Sequence, residues 1–292
     1  MELLLNKGIY NLLNEFSIEV MPRTLGKIDD IEHLWPKDTR VYIAHLEGTK
    51  IDEMVSTAKR IKEAGYSPMP HFPARLIANK KILEDWISLY SGLGVCEALV
   101  LAGGVDKPIG DFSDSMQLLA TGLFEKYGFN RLHVAGHPEG NSDIDNIGGT
   151  QNVMSALRWK QDYSRDTQAD IEITTQFFFE AKPVISWAEK LFLDGISLPV
   201  NIGIAGPAKL QTMIKFALAC GVGPSVRVLE RRAKDLTKLL FPFEPTDILN
   251  ELGRLSSENK KMNLKSIHFF PLGGIEKTSQ FINEFKKNES NF

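Results

Sequence analysis

Cysteine is scarce in this sequence: two stand among 292 residues, Cys96 and Cys220, far apart and each within an apolar run. That excludes a disulfide-stapled scaffold, and isolated thiols in apolar surroundings read as reduced, buried small hydrophobes. Long apolar runs are missing too; none reaches the roughly 18 residues of a membrane-spanning helix. The opening Met1-Glu-Leu-Leu-Leu-Asn-Lys7 is too short and too acidic for a signal peptide, so a cytoplasmic location is the expectation. There is no excess of positive charge, with 34 Lys and Arg against 37 Asp and Glu, net −3. Without a basic stripe or a polybasic tract, neither nucleic acid nor a membrane surface is an expected partner, and small molecules remain. A homo-oligomer is compatible with the sequence, which does not fix the number of copies.

What is present is a globular composition, 43% apolar and 24% charged, enough to bury a substantial core. Strand-like and helix-like segments alternate, the pattern of βα units on a parallel sheet. Strands are expected near 16–21, 40–44, 67–71, 98–102, 131–135, 171–175, 199–204 and 266–270. Several, such as Ala98-Leu-Val-Leu-Ala102, are short aliphatic runs of the kind buried on both faces.

Helical stripes fill the gaps. After Thr49, the residues Ile51, Met54, Val55, Ala58 and Ile61 recur at helical spacing. Thr49 with Asp52 makes a capping box, and Gly65 sits where the helix should stop. Similar stripes occupy 83–93, 115–126, 153–162, 184–194 and 210–220. The long gap before the last strand holds extra helices near 226–239 and 246–258, and a leading helix runs over about 2–15. Eight βα units in one chain of this length suit a single closed (β/α)8 TIM barrel spanning 1–292. An open doubly wound sheet would carry a Gly-rich turn after its first strand; here that strand runs into Pro22-Arg23-Thr24.

In such a barrel the chemistry sits at the C-terminal strand ends. Those positions carry Glu19, His45, His71, the run Gly103-Gly104-Val105-Asp106, the run Gly136-His137-Pro138-Glu139, Gln176, and Gly203 to Pro207. Alternation along Phe16-Ser-Ile-Glu-Val-Met21 puts Glu19 on the face opposite Phe16, Ile18 and Val20, toward the barrel mouth. A carboxyl there, among apolar neighbours, favours its neutral form and can act as a general acid; a structural carboxylate paired across the lumen is the alternative. In Thr175-Gln-Phe-Phe-Phe179 the three rings cannot share one side, and Gln176 offers a donor and an acceptor to a mixed heterocycle edge, unless the strand end is merely packed. The glycine clusters permit close backbone approach to a ligand or serve as ordinary turns. The loop with Asp143, Asp145, Gly148 and Gly149 reads as a mobile cover or binding loop. Lys160, late in a helix, reads as a solvated charge unless something else singles it out.

These residues resemble a known family. Phe16-Ser-Ile-Glu-Val-Met-Pro22, Pro70-His-Phe-Pro-Ala-Arg75, Val134-Ala-Gly-His-Pro-Glu139, Thr175-Gln-Phe-Phe-Phe179 and Gly203-Ile204 are similar, in order, to motifs of the methylenetetrahydrofolate reductases. The glutamine and triple-phenylalanine motif is the specific one. The resemblance implies a flavoenzyme holding FAD at the barrel mouth, reduced by NADH or NADPH, that reduces 5,10-methylenetetrahydrofolate to 5-methyltetrahydrofolate. It implies Glu19 as general acid and Gln176, Phe178 and Leu210 toward the folate. His71, Ala102, Gly103, Gly104, Asp106, His137, Asn141 and Lys160 then fall to the flavin, and no metal is implied.

Departures are visible. Ala102-Gly103-Gly104 stands where the family carries an Arg-Gly-Asp, so Asp106, two residues on, either replaces that aspartate or leaves the charge missing. Leu210 stands in place of a stacking phenylalanine and Asn141 in place of a histidine. The stretch from Lys160 to Gln176 is longer than in familiar members. These changes leave open a FAD- and folate-binding subunit that takes electrons from a partner protein. A metal-dependent hydrolase on the same barrel, using His45, His71 and His137, is the other alternative, although it lacks the usual His-x-His after the first strand.

Overall fold

A computed structural model gives the fold and describes residues 2–145, 147–220, 229, 242–258 and 262–290. Its strands are β1 (Ser17–Val20), β2 (Arg40–Ile43), β3 (Ser67–Pro73), β4 (Glu97–Leu101), β5 (Arg131–Gly136), β6 (Asp170–Thr175), β7 (Val200–Ala205) and β8 (Leu264–Phe270). They hydrogen-bond in chain order and the ring closes from β8 onto β1, in parallel register Ser17 to His268 and Ile18 to Phe269. This is the (β/α)8 barrel read from the alternating segments. The helices, numbered over the described residues, are α1 (Glu2–Asn14), α2 (Pro22–Leu25), α3 (Ile51–Glu63), α4 (Lys80–Gly92), α5 (Ser115–Leu119) and α6 (Leu123–Lys126). Then follow α7 (Gln151–Asp166), α8 (Ala181–Leu193), α9 (Leu210–Ala219), α10 (Thr246–Glu258) and α11 (Ile275–Ser290). Of the extra helices, α10 is where the sequence put it; the one expected over 226–239 lies, Leu229 apart, outside the described residues.

Two local expectations are corrected. The cap of α3 is Lys50 and not Thr49: the Lys50 carbonyl takes the Glu53 and Met54 N–H groups, while the Thr49 carbonyl is held by His45 Nε2. The same helix does stop at Gly65. There φ of +82° lets Gly65 and Tyr66 return their N–H groups to the Lys62 and Ile61 carbonyls, the Schellman closure. The stripe over 115–126 is two short helices, because Gly122 at φ +68° interrupts the backbone between α5 and α6.

The chain groups into two compact units. One comprises residues 1–18, 137–153 and 175–292; the other comprises 19–136 and 154–174. In the first, α1 buries Ile9, Leu12 and Leu13, and β8 buries Ile267 and Phe269. In the second, the outward faces of β2 and β3 carry Val41, Ile43 and Phe72, all fully buried.

The inward face of the second unit is far more polar than the aliphatic layers usual in such barrels. Tyr42 on β2 reaches His133 Nδ1 on β5 and, at 3.0 Å, Thr174 Oγ1 on β6. Contacts that skip intervening strands have to cross the lumen. Next to this layer Arg40 bonds Glu97, Arg131 bonds Glu97 at 2.8 Å, and Glu172 lies 3.3 Å from His133 and 3.5 Å from Arg131. Buried charges of both signs alternate around these strands, so each is partnered.

Candidate functional site

In the second unit, β1 and β3 bring Glu19 and His71 together. Glu19 Oε2 lies 3.4 Å from His71 Nε2, with the carboxyl side chain 20% exposed and the imidazole 9%. Period-two alternation explains the placement: Ile18 and Val20 are buried on the other face of β1. The neighbour of this carboxyl is therefore an imidazole, not only the apolar groups expected. His71 lies inside β3, two residues short of its end at Pro73, and its ring meets Tyr42 edge-on at 6.2 Å.

The loop after β4 is laced to the end of β3 by Arg75. Its backbone N–H donates to Ala102 at 2.9 Å, its guanidinium to Val105 at 3.0 Å and Ser113 at 3.1 Å, and its carbonyl accepts the Ile109 N–H at 3.0 Å. Gly103 adopts φ +98°, and a Cβ there would sit 3.1 Å from Pro73 Cβ, so the glycine is required. Gly104 faces open space. Asp106 is exposed.

Lys160 on α7 departs most from its bland reading. It is not solvated but 5% exposed, and burial pushes its ammonium down to about 8 while Asp114 pulls the other way. Among the described residues no hydrogen bond or ion pair holds its Nζ.

The first unit carries a small, partly open cavity lined by His137, Pro138, Glu139, Gly140, Asn141, Gln176, Phe177, Phe178 and Cys220. Two strand ends build it. The β5 loop delivers His137 to Asn141, and the end of β6 delivers Gln176 to Phe178. Gly203 keeps the second set in place. It lies within β7 and not in a turn, its N–H donates to Thr175 Oγ1 at 2.8 Å, and a Cβ on it would come 2.4 Å from the Thr175 carbonyl. All three phenylalanines are buried: Phe177 packs on Phe179 and Phe270, Phe179 on Phe243, and Phe178 bridges to Ile204. Four of the residues singled out by sequence (His137, Asn141, Gln176 and Phe178) thus share one cavity. Leu210, the first residue of α9, is half-buried and does not line it.

No protein-family model matches the chain. Among solved structures it is similar to 7,8-dihydropteroate synthase from Vibrio fischeri ES114, with TM-score 0.46 and 11% identity over 96% of each chain. It is also similar to a GH10 xylanase from Thermobacillus composti, with TM-score 0.42 and 11% identity over 92% of this chain and 87% of that one. Neither likeness bears on the chemistry.

Sequence reasoning passed over three features. Cys220, expected buried, is exposed at the end of α9 and borders the cavity, because the helix ends there and its apolar stripe stops at Ala217. Arg75 stood in a recognised motif without a role. Glu139, quoted in the β5 motif, was not nominated as a ligand-binding group. His45 stacks its ring on Trp86 at 4.8 Å and its Nε2 donates to the Thr49 carbonyl. Among the described residues no three His, Cys, Asp or Glu side chains gather as a metal site.

Proposed function

We propose that this chain is a flavin-dependent reductase of a folate, converting 5,10-methylenetetrahydrofolate to 5-methyltetrahydrofolate with electrons from a nicotinamide cofactor. One observation carries the reading. His137 and Asn141 on one side, and Gln176 and Phe178 on the other, come from separate motifs of the reductase resemblance and line one cavity.

The residues present fit a flavin in two respects. Lys160 is a buried ammonium without an anionic contact in the described chain, the group a phosphate would satisfy. Gly104 leaves open space where a side chain would obstruct a ring. FAD, when bound, supplies the hydride chemistry; the chain supplies orientation and a proton. Gln176 positions the pterin, a proximity role. Glu19 holds the proton for the nitrogen that leaves when the bridging five-membered ring opens, and His71 at 3.4 Å orients that carboxyl.

The purified protein should be yellow, absorb in the visible, and bleach when mixed anaerobically with NADH or NADPH. Glu19→Gln should leave that bleaching intact and slow folate reduction by about 100-fold or more, while Gln176→Ala should weaken folate binding. A colourless protein would end the flavin reading, and equal loss in both half-reactions would remove the proton from Glu19. If neither nicotinamide bleaches the flavin while 5-methyltetrahydrofolate still reduces it, the electrons come from a partner protein, the reading that the missing Arg-Gly-Asp aspartate favours.

A further inference from the structure

The reaction proposed above consumes a proton at every turnover. Glu19 gives it to the leaving nitrogen, the bond from that nitrogen to the bridging carbon breaks, and the carbon gains its hydride from the reduced flavin. Glu19 is left a carboxylate, and it has to be protonated again before the next substrate can react.

Water is a poor source. The carboxyl is only 20% exposed, and a flat ligand over the strand ends covers it further. At its side stands His71, with Nε2 3.4 Å from Glu19 Oε2. Imidazole is the side chain that gains and loses a proton near neutral pH, and when protonated it donates from both nitrogens. This ring is held in place. It lies within β3, in register with Leu99 on β4, and meets the ring of Tyr42 on β2 edge-on at 6.2 Å. Tyr42, Met69 and Leu99 bury one another around it, and the Tyr42 hydroxyl is anchored on His133 and Thr174.

We infer that His71 is the proton source that recharges Glu19. The imidazolium Nε2–H bond breaks as an O–H bond forms on Glu19 Oε2, no electrons leave the pair, and the neutral imidazole takes its next proton from water. This rests on the function proposed above and goes beyond orientation of the carboxyl. His71 acts through Glu19 and never meets the substrate in this step.

His71→Gln separates the two roles, because an amide N–H still holds a carboxylate but has no proton to give. The flavin-loaded protein is kept reduced with titanium(III) citrate and mixed with excess 5,10-methylenetetrahydrofolate, and 5-methyltetrahydrofolate is followed by rapid quench. Wild type should form product at one steady rate. The variant should form its first equivalent per site at close to the wild-type rate and later ones about 100-fold more slowly. First and later turnovers slowed alike would reduce His71 to an orienting group, and no slowing would assign the proton to water; either result overturns the inference. A second readout needs no turnover. The ring-nitrogen NMR signal of His71, titrated in the purified protein, should have its midpoint lower by about one unit or more in Glu19→Gln, since a neighbouring carboxylate favours the imidazolium. An unmoved midpoint means that the two groups share no proton, and it overturns the inference even where His71→Gln does not fold or does not hold flavin. Wild type that forms no 5-methyltetrahydrofolate, although its His71 responds to Glu19, fells the proposed function, and this inference falls with it.

Discussion

A lysine ammonium removed from water without an anion beside it is an expense the folded state has to carry. Lys160 is in that position: 5% exposed, and pushed by burial from 10.5 down to about 8. Because the folded-state value is the lower one, the unfolded chain binds more protons between about pH 8 and 10.5. Stability then rises with pH across that interval, and below it a constant penalty remains. The shift corresponds to a penalty on the order of 3 kcal/mol near neutral pH. Lys160→Met should therefore stabilise the flavin-free protein in urea at pH 7 by roughly that amount, and the gain should shrink as the pH approaches 10.5. An unchanged urea midpoint at pH 7 would show that the ammonium is better solvated than its burial says. The sequence pointed to Lys160 only by resemblance, because a lysine late in a polar helix has no local signature of burial.

At the scale of elements, what was legible depended on whether a signal was local. All eight strands were found within a few residues, since aliphatic runs with period-two alternation are written directly in the chain. The cap of α3 was misplaced because the Thr49 carbonyl was already taken by His45, a contact no cap rule foresees. The break between α5 and α6 was missed because a continuous apolar stripe conceals a backbone that turns left-handed at Gly122. In the site, alternation put Glu19 on the right face, but its imidazole partner on β3 depends on strand register, which sequence does not state. The close fit of β6 and β7 is of the same kind. Gly203 reads as a turn residue by type, yet it is the position where β7 touches the Thr175 and Gln176 backbone. Gly203→Ala should thus do more than strain a strand. With contacts of 2.4 and 2.8 Å to backbone atoms, the end of β6 must shift and carry Gln176 with it. The expected result is a drop in stability of about 1–3 kcal/mol, as for overpacking, and, on the function proposed above, a loss of folate affinity alongside. Unchanged folate binding would mean that the β6 end relaxes independently of its glutamine.

For the molecule as a whole, the titrating groups held neutral by burial bound the pH range in which the fold is most stable. His45 is pushed below its usual 6.5 by burial against Trp86, so its contribution is complete above that pH and is lost as the pH falls through the folded value. Tyr42 and Tyr90 are pushed up from 10.0 by burial, Tyr42 with some relief from Thr174. Raised folded values have the opposite sign: their stability is complete below pH 10 and lost as the pH rises past it. On the account of these three groups stability should hold between about pH 6.5 and 10 and decline on both sides, with the rise from Lys160 between about pH 8 and 10.5 superposed. The two tyrosines separate the causes of the alkaline decline. Tyr42 is bonded to His133 and Thr174, which also bond each other at 3.0 Å, so truncating it would break a three-membered buried network. Tyr90 is 1% exposed, its hydroxyl has no hydrogen-bond partner among the described residues, and its ring packs on Phe72 at 5.5 Å. An unsatisfied buried hydroxyl costs about 1–3 kcal/mol, and removing it leaves the ring contacts intact. Tyr90→Phe should therefore raise the thermal midpoint at pH 7 by a few degrees and make the decline above pH 10 shallower, as read by melts across pH 6 to 11. A lower midpoint at pH 7 would reveal that the hydroxyl is bonded after all. A raised midpoint with an unaltered alkaline limb would assign that limb to Tyr42 and the lumen.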